Sequence, residues 1–146
     1  MLLLAGRARS ALVVGFAYEM DAPELSLLTT VHIVDDDSAV RAAISYLLSS
    51  HGYSTQIYSS GIELLGERRL RPGCILLDLR MDETSGLEVL KELERRASRL
   101  PVIAMSGDDN IAAIVQSLKL GAIDFIKKPY DPRELLDAIE RVRGMA

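Results

Sequence analysis

The stretch Cys74-Ile75-Leu76-Leu77-Asp78-Leu79-Arg80-Met81 decides how this chain is read. A short apolar run that closes on a carboxylate reads as a buried central strand carrying Asp78 to its carboxyl end. In open α/β sheets that end is where ligands bind. The neighbouring segments are therefore ordered around Asp78.

Upstream, Pro72-Gly73 turns the chain into this strand, and Ser60-Gly61-Ile62-Glu63 is a capping box that opens a helix through about Arg69. Ser54–Tyr58 reads as a weaker, more polar strand suited to a sheet edge. Before it, Val31-His32-Ile33-Val34 is a first apolar strand ending in Asp35-Asp36-Asp37. The helix that follows has Val40, Ile44, Leu47 and Leu48 at helical spacing and Gly52 as its stop.

Downstream, Ser85-Gly86-Leu87-Glu88 is a second capping box, and the spacing predicts Leu90, Leu93 and Ala97 as the buried face of a third helix. Residues 101–106 read as a fourth strand ending on Ser106. Residues 109–120 read as a fourth helix with Ile111, Val115 and Leu118 inward, closed by Gly121. Residues 122–126 form a fifth predicted strand that runs into Lys127-Lys128-Pro129. Asp131-Pro132 then opens a last helix lined by Leu135, Ile139 and Val142.

Five βα units in succession predict an α/β doubly wound fold, a parallel sheet with helices on both faces. A strand order of 2-1-3-4-5 would set strands 1 and 3 side by side where the connections change direction. Asp35, Asp36 and Asp78 would then meet at one end of the sheet, with Ser106 and Lys128 arriving from strands 4 and 5.

The 146 residues are one domain's worth, and 49% hydrophobic with 26% charged content is that of a globular protein. A net charge of −4 argues against a phosphate-backbone binder, so no direct nucleic-acid contact is expected. The single cysteine, Cys74, falls in a predicted core strand and fits a reduced, cytoplasmic setting. Residues 1–30 read as an N-terminal extension before a folded unit at 31–143, either disordered or with residues 1–19 lying upstream of a natural start at Met20. The extension fits a signal peptide poorly, because Arg7 and Arg9 follow an apolar start and no small-residue cleavage site precedes Glu19. Its apolar run is too short to span a bilayer, and no membrane contact is expected.

Two carboxylates about 4 Å apart repel by on the order of 4 kcal/mol at an effective dielectric of 20, and three are worse. Lys128 supplies one compensating charge and a divalent ion would supply the rest. All-oxygen donors select Mg²⁺ or a similar hard ion. Neither histidine competes, since His32 alternates away inside strand 1 and His51 sits at a helix end. A metal alone leaves Ser106 and Lys128 unexplained. Together with the N–H groups near Gly107 they make a cradle for a tetrahedral phosphoryl group, which an aspartate can accept covalently.

Val-Asp-Asp-Asp at 34–37, Leu-Leu-Asp-Leu-Arg-Met at 76–81 with Ser85-Gly86-Leu87, Pro-Val-Ile-Ala-Met-Ser-Gly at 101–107 and Gly-Ala-Ile-Asp-Phe-Ile-Lys-Lys-Pro-Tyr at 121–130 resemble the receiver domain of bacterial two-component response regulators, the nitrogen-fixation regulator type in particular. The resemblance covers residues 30–143 and implies a flavodoxin-like (βα)5 sheet. Receivers are themselves an example of the 2-1-3-4-5 order, so order and resemblance are not independent.

The resemblance implies phosphorelay signalling, with Asp78 taking a phosphoryl group from a sensor histidine kinase or phosphotransfer protein. Asp35 and Asp36 match the acidic pair that binds Mg²⁺, and Asp78 with the main-chain carbonyl of Arg80 completes the protein ligands. Ser106 matches the switch hydroxyl, Lys128 the lysine that pairs with the phosphoryl oxygens, and Phe125 an aromatic switch. Lys128-Pro129 falls where receivers hold a cis peptide that aims the lysine. Helix 4, strand 5 and helix 5, around Phe125 and Tyr130, are implied as the surface for a homodimer or an effector. Slow self-dephosphorylation, rather than enzymatic turnover, is expected.

One position departs from the family: the residue after Met81, usually Pro in these receivers, is Asp82. Its absence predicts a looser loop over 82–85, while Asp82, Glu83 and Asp108 add negative charge at the rim, so an altered phosphoryl lifetime is expected. Taken alone, Asp35 to Asp37 read as a helix-capping cluster rather than a metal site, Phe125 as core rather than a switch, and Arg68, Arg69 and Arg71 as solvated charge; it is the joint pattern with Asp78 that favours the site. Two rival functions remain. One is a degenerate receiver that binds partners without phosphorylation. The other is a phosphohydrolase of the haloacid-dehalogenase type, with Asp35 as nucleophile and Asp37 as acid/base. Chain order opposes the latter, since the acids at 108 and 109 precede Lys128 and Asp78 has no role in it.

Overall fold

In the computed structural model the described residues are 10–13, 16–19, 29–107 and 110–143. Ser10–Val13 and Phe16–Glu19 pair as an antiparallel hairpin within the N-terminal extension. The main unit then alternates strand and helix: β1 Thr30–Val34, α1 Ser38–Ser50, β2 Ser54–Tyr58, α2 Gly61–Leu65 and β3 Gly73–Asp78. It continues with α3 Gly86–Arg95, β4 Val102–Gly107, α4 Ile111–Lys119, β5 Asp124–Lys128 and α5 Pro132–Arg143.

The five strands are parallel and ordered β2-β1-β3-β4-β5. Strand alternation splits the core into two layers. Val31, Ile33, Cys74, Leu76, Ile103 and Met105 pack on one face against Ile44 and Leu48 of α1 and Leu135, Ile139 and Val142 of α5. Val34, Ile75, Leu77, Val102 and Ala104 pack on the other against Leu64 of α2 and Val89, Leu90 and Leu93 of α3. The central strand β3 is buried on both faces, which is why it reads as a continuous apolar run. Among the described residues no helix is long and apolar enough to cross a membrane.

Capping chemistry sets the helix starts. Ser60 and Ser85 accept the N–H groups of Glu63 and Glu88, as the capping boxes predict. Asn110 caps α4 by accepting from Ala113. Gly73 has φ +152°, and a Cβ there would lie 1.8 Å from the Thr30 carbonyl oxygen, so the entry to β3 requires glycine.

Several local expectations are corrected. Helix α2 stops at Leu65 and is capped by Gly66, because Glu67-Arg68-Arg69 offers no apolar side chain to bury. Ala97 lies beyond α3, exposed and at φ +54°. Strand β5 starts two residues later than predicted and runs through Lys128. In α4 the inward side chains are Ile114 and Ser117, while Ile111, Val115 and Leu118 are 68%, 44% and 42% exposed. Apolar residues surround most of that helix, so periodicity alone does not select its buried side.

Candidate functional site

The register of the sheet assembles the site. Val34 pairs with Leu77, so the chain leaves β1 and β3 with Asp35 beside Asp78. Asp78 pairs with Met105, one residue before Ser106, and Gly107 pairs with Lys128 at the edge. Asp35, Asp78 and Ser106 are buried, whereas Asp36 is exposed.

Carboxylate oxygens of Asp35, Asp36 and Asp78 all lie within 4.8 Å of one another. Each carboxylate accepts one main-chain N–H: Asp35 from Asp37 at 2.9 Å, Asp78 from Arg80 at 3.1 Å and Asp36 from Asp82 at 3.2 Å. Lys128 Nζ donates to Asp35 Oδ2 at 2.7 Å and sits 3.5 Å from Asp78 Oδ2. One lysine against three carboxylates leaves an excess of negative charge at hard oxygen donors, and that donor set fits a hard divalent cation such as Mg²⁺.

Burial pushes the Asp78 carboxyl up to about 6; the Arg80 N–H and Lys128 pull it down, and the Asp35 charge pushes it further up. Burial also acts to lower Lys128, but its hydrogen bond to Asp35 and the charges of Asp78 and Asp35 outweigh it. The lysine is held above its ordinary value and stays cationic. Ser106 Oγ is engaged only weakly, donating to the Gly107 carbonyl at 3.3 Å.

The remaining sequence candidates fall around this centre. The Lys128–Pro129 peptide is cis. Phe125 on β5 is 40% exposed, which removes the core reading for it. Asp37 is turned away from the site and caps α1 by accepting from Ala39 and Val40. The three consecutive acids therefore divide between a cap and a site, and the phosphohydrolase reading loses its acid/base. Arg80 contributes its N–H to Asp78, and its side chain is exposed. Asp108 lies outside the described residues.

Two contributors carry no motif. Arg41 of α1 donates from Nη1 to the Asp35 carbonyl at 2.7 Å and anchors the end of β1. Asp82 donates through its main chain to Asp36, so the loop after Met81 is tied to the site rather than simply loosened by the missing proline. His32 takes no part, as its buried ring meets Tyr58 Oη and the Arg71 carbonyl, each at 2.9 Å. The Arg71 carbonyl can only accept, so Nε2 carries a proton.

The chain is thus a doubly wound α/β protein whose buried parallel sheet presents three carboxylates, a lysine and a hydroxyl at its carboxyl end. Comparison with known proteins narrows this. The model of the response regulator receiver domain matches residues 31–140, and the chain belongs to that family. The transcriptional regulatory protein FixJ of Azorhizobium caulinodans is 40% identical over 115 residues, 78% of this chain and 54% of that protein. The response regulator protein TodT of Pseudomonas putida is 40% identical over 119 residues, 81% of this chain and 52% of that protein. The chain thus spans about half the length of the curated relatives it matches. Among solved structures, FixJ-N superposes with a TM-score of 0.77 at 34% identity, covering 81% of this chain and 95% of that one. Full-length FixJ from B. japonicum gives 0.73 at 31% identity, covering 78% and 57%.

Proposed function

We propose that this receiver domain works by accepting a phosphoryl group on Asp78 from a phosphohistidine of a sensor kinase or phosphotransfer protein. The observation that carries the reading is the convergence of Asp35, Asp36 and Asp78, within 4.8 Å, beside Lys128. An ionised Asp78 oxygen forms the O–P bond as the P–N bond to the donor histidine breaks, and the proton needed by the leaving imidazole comes from solvent. Asp35, Asp36, Asp78 and the Arg80 carbonyl would hold Mg²⁺, which when bound neutralises charge on the transferring group. Lys128 exchanges part of its pairing with Asp35 for the new phosphoryl oxygens. The Ser106 hydroxyl, held only by a 3.3 Å contact, is free to turn toward them.

Release of the phosphoryl group by water resets the domain without making it an enzyme. Output in a longer protein would pass through α4, β5 and α5, where Ile111, Val115, Leu118 and Phe125 are exposed. The relatives FixJ and TodT are named as regulators, and transcriptional output through a further domain is a proposal for this chain on that likeness.

The test is incubation with acetyl phosphate and Mg²⁺ followed by intact-mass measurement. One phosphoryl adduct is expected on the native chain and none on Asp78→Asn. An unmodified native chain would favour a degenerate receiver, and steady hydrolysis of a generic phosphomonoester would revive the hydrolase.

A further inference from the structure

The three site carboxylates are held in two different ways. Asp35 and Asp78 accept from the residue two positions on, a local turn that aspartate forms readily. Asp36 has a donor 46 residues away, the main-chain N–H of Asp82 in the loop between β3 and α3. Asp36 is also the exposed member of the three, flanked by a hollow of about 170 Å³ lined by Ser59, Ser60, Met81, Asp82 and Glu83. Packing therefore does little to restrict its carboxylate, and a cation would have to freeze that freedom on binding.

We infer that the Asp82 N–H is a positioning donor for Asp36, and that the residue at 82 sets divalent-cation affinity by supplying or withholding that N–H. The inference rests on reading Asp35, Asp36 and Asp78 as a Mg²⁺ site. One Asp36 oxygen is held by the loop and the other is left for the cation, so the orienting cost is met before the ion arrives. Proline, the usual residue here in the family this chain resembles, has no N–H to donate. Asp82 then holds the Asp36 carboxylate through its main chain and not through its side chain.

The test is calorimetric titration of the full chain with MgCl₂, comparing Asp82→Pro with Asp82→Asn. Both variants remove the carboxylate, so its long-range charge cancels between them, and only proline removes the donor. Asp82→Pro is expected to bind about two- to tenfold more weakly than Asp82→Asn, the range of one net hydrogen bond. Equal affinities, or tighter binding by Asp82→Pro, overturn the inference. A second measurement is independent of how proline fits: amide exchange at residue 82 in the metal-free protein should speed up several-fold in Asp36→Ala. An unchanged rate overturns it as well. If the native chain binds no Mg²⁺, the metal-site reading fails and takes the inference with it. If it binds and the two variants match, only the inference falls.

Discussion

Lys128 reaches across the end of the sheet to Asp35, Nζ to Oδ2 at 2.7 Å, and stops 3.5 Å short of the Asp78 carboxylate. It is thus mainly the counter-ion of Asp35, a side chain only 1% exposed. Breaking a buried pair costs about 3–5 kcal/mol, and the 23% exposure of Lys128 discounts this. Lys128→Ala should therefore lose about 1–3 kcal/mol in urea unfolding without metal. The gap to the native protein should narrow in saturating MgCl₂, because the cation takes over part of the lysine's role. A gap of the same size in both conditions would contradict this account.

The Asp78 carboxyl, raised by burial to about 6, makes both stability and metal binding depend on pH. Its folded value exceeds the unfolded one, so its favourable contribution is full below about pH 4 and is lost as pH rises through about 6. Above pH 6 the ionised form is a cost, and Asp78→Asn should be more stable than the native protein there, by on the order of 1–2 kcal/mol. Near pH 4 that advantage should vanish. His32, which burial holds below its ordinary value, acts in the opposite sense below about pH 6.5, but it is common to both proteins and cancels. Mg²⁺ affinity of the native chain should fall as pH drops below about 6, because the proton and the cation compete for Asp78. A flat affinity from pH 5 to 8 would argue against it.

Gly86 opens α3 hard against the end of β3. A Cβ there would lie 2.6 Å from the Asp78 carbonyl oxygen and 2.7 Å from Leu79 Cα. Both are backbone atoms, so the strand end itself would have to move. Gly86→Ala should cost about 1–3 kcal/mol, the range for overpacking, and should weaken Mg²⁺ binding by displacing Asp78. Gly107→Ala, where a Cβ meets nothing within 4 Å, is the matched control for stability.

Ala97 ends α3 in a left-handed conformation, φ +54°, that glycine adopts more easily. The N–H of Ser98 bonds to the Leu93 carbonyl and that of Ala97 to the Glu94 carbonyl, the Schellman pattern. Ala97→Gly should relieve the Cβ clash and stabilise the domain by about 0.5–1 kcal/mol, after the glycine's extra freedom in the unfolded chain is counted. Urea unfolding midpoints of the two proteins check it, and a lower midpoint for the glycine variant counts against it.

Asp35, Asp78, Ser106 and Lys128 were legible because each closes or follows an apolar strand, and a parallel sheet necessarily gathers such ends. The fold followed from the same alternation of strand and helix. The face of α4 was not legible, since a helix reading Ile-Ala-Ala-Ile-Val-Gln-Ser-Leu-Lys has apolar residues on most sides. Phe125, too, could be placed on β5 but not assigned to core or surface, because an edge strand has one neighbour and an open flank.

The amino-acid sequence by itself determined the order of the elements, the family likeness and the chemical identity of the site, because periodicity, capping residues and strand-end acids are local signals. Only the tertiary structure decided how three adjacent aspartates divide their work, with Asp37 capping α1, Asp35 paired to Lys128 and Asp36 held by Asp82. The last of these joins two segments far apart in the chain through a main-chain N–H. Every residue except proline carries that group, so its partner is fixed by where the fold places it and not by which side chain it bears.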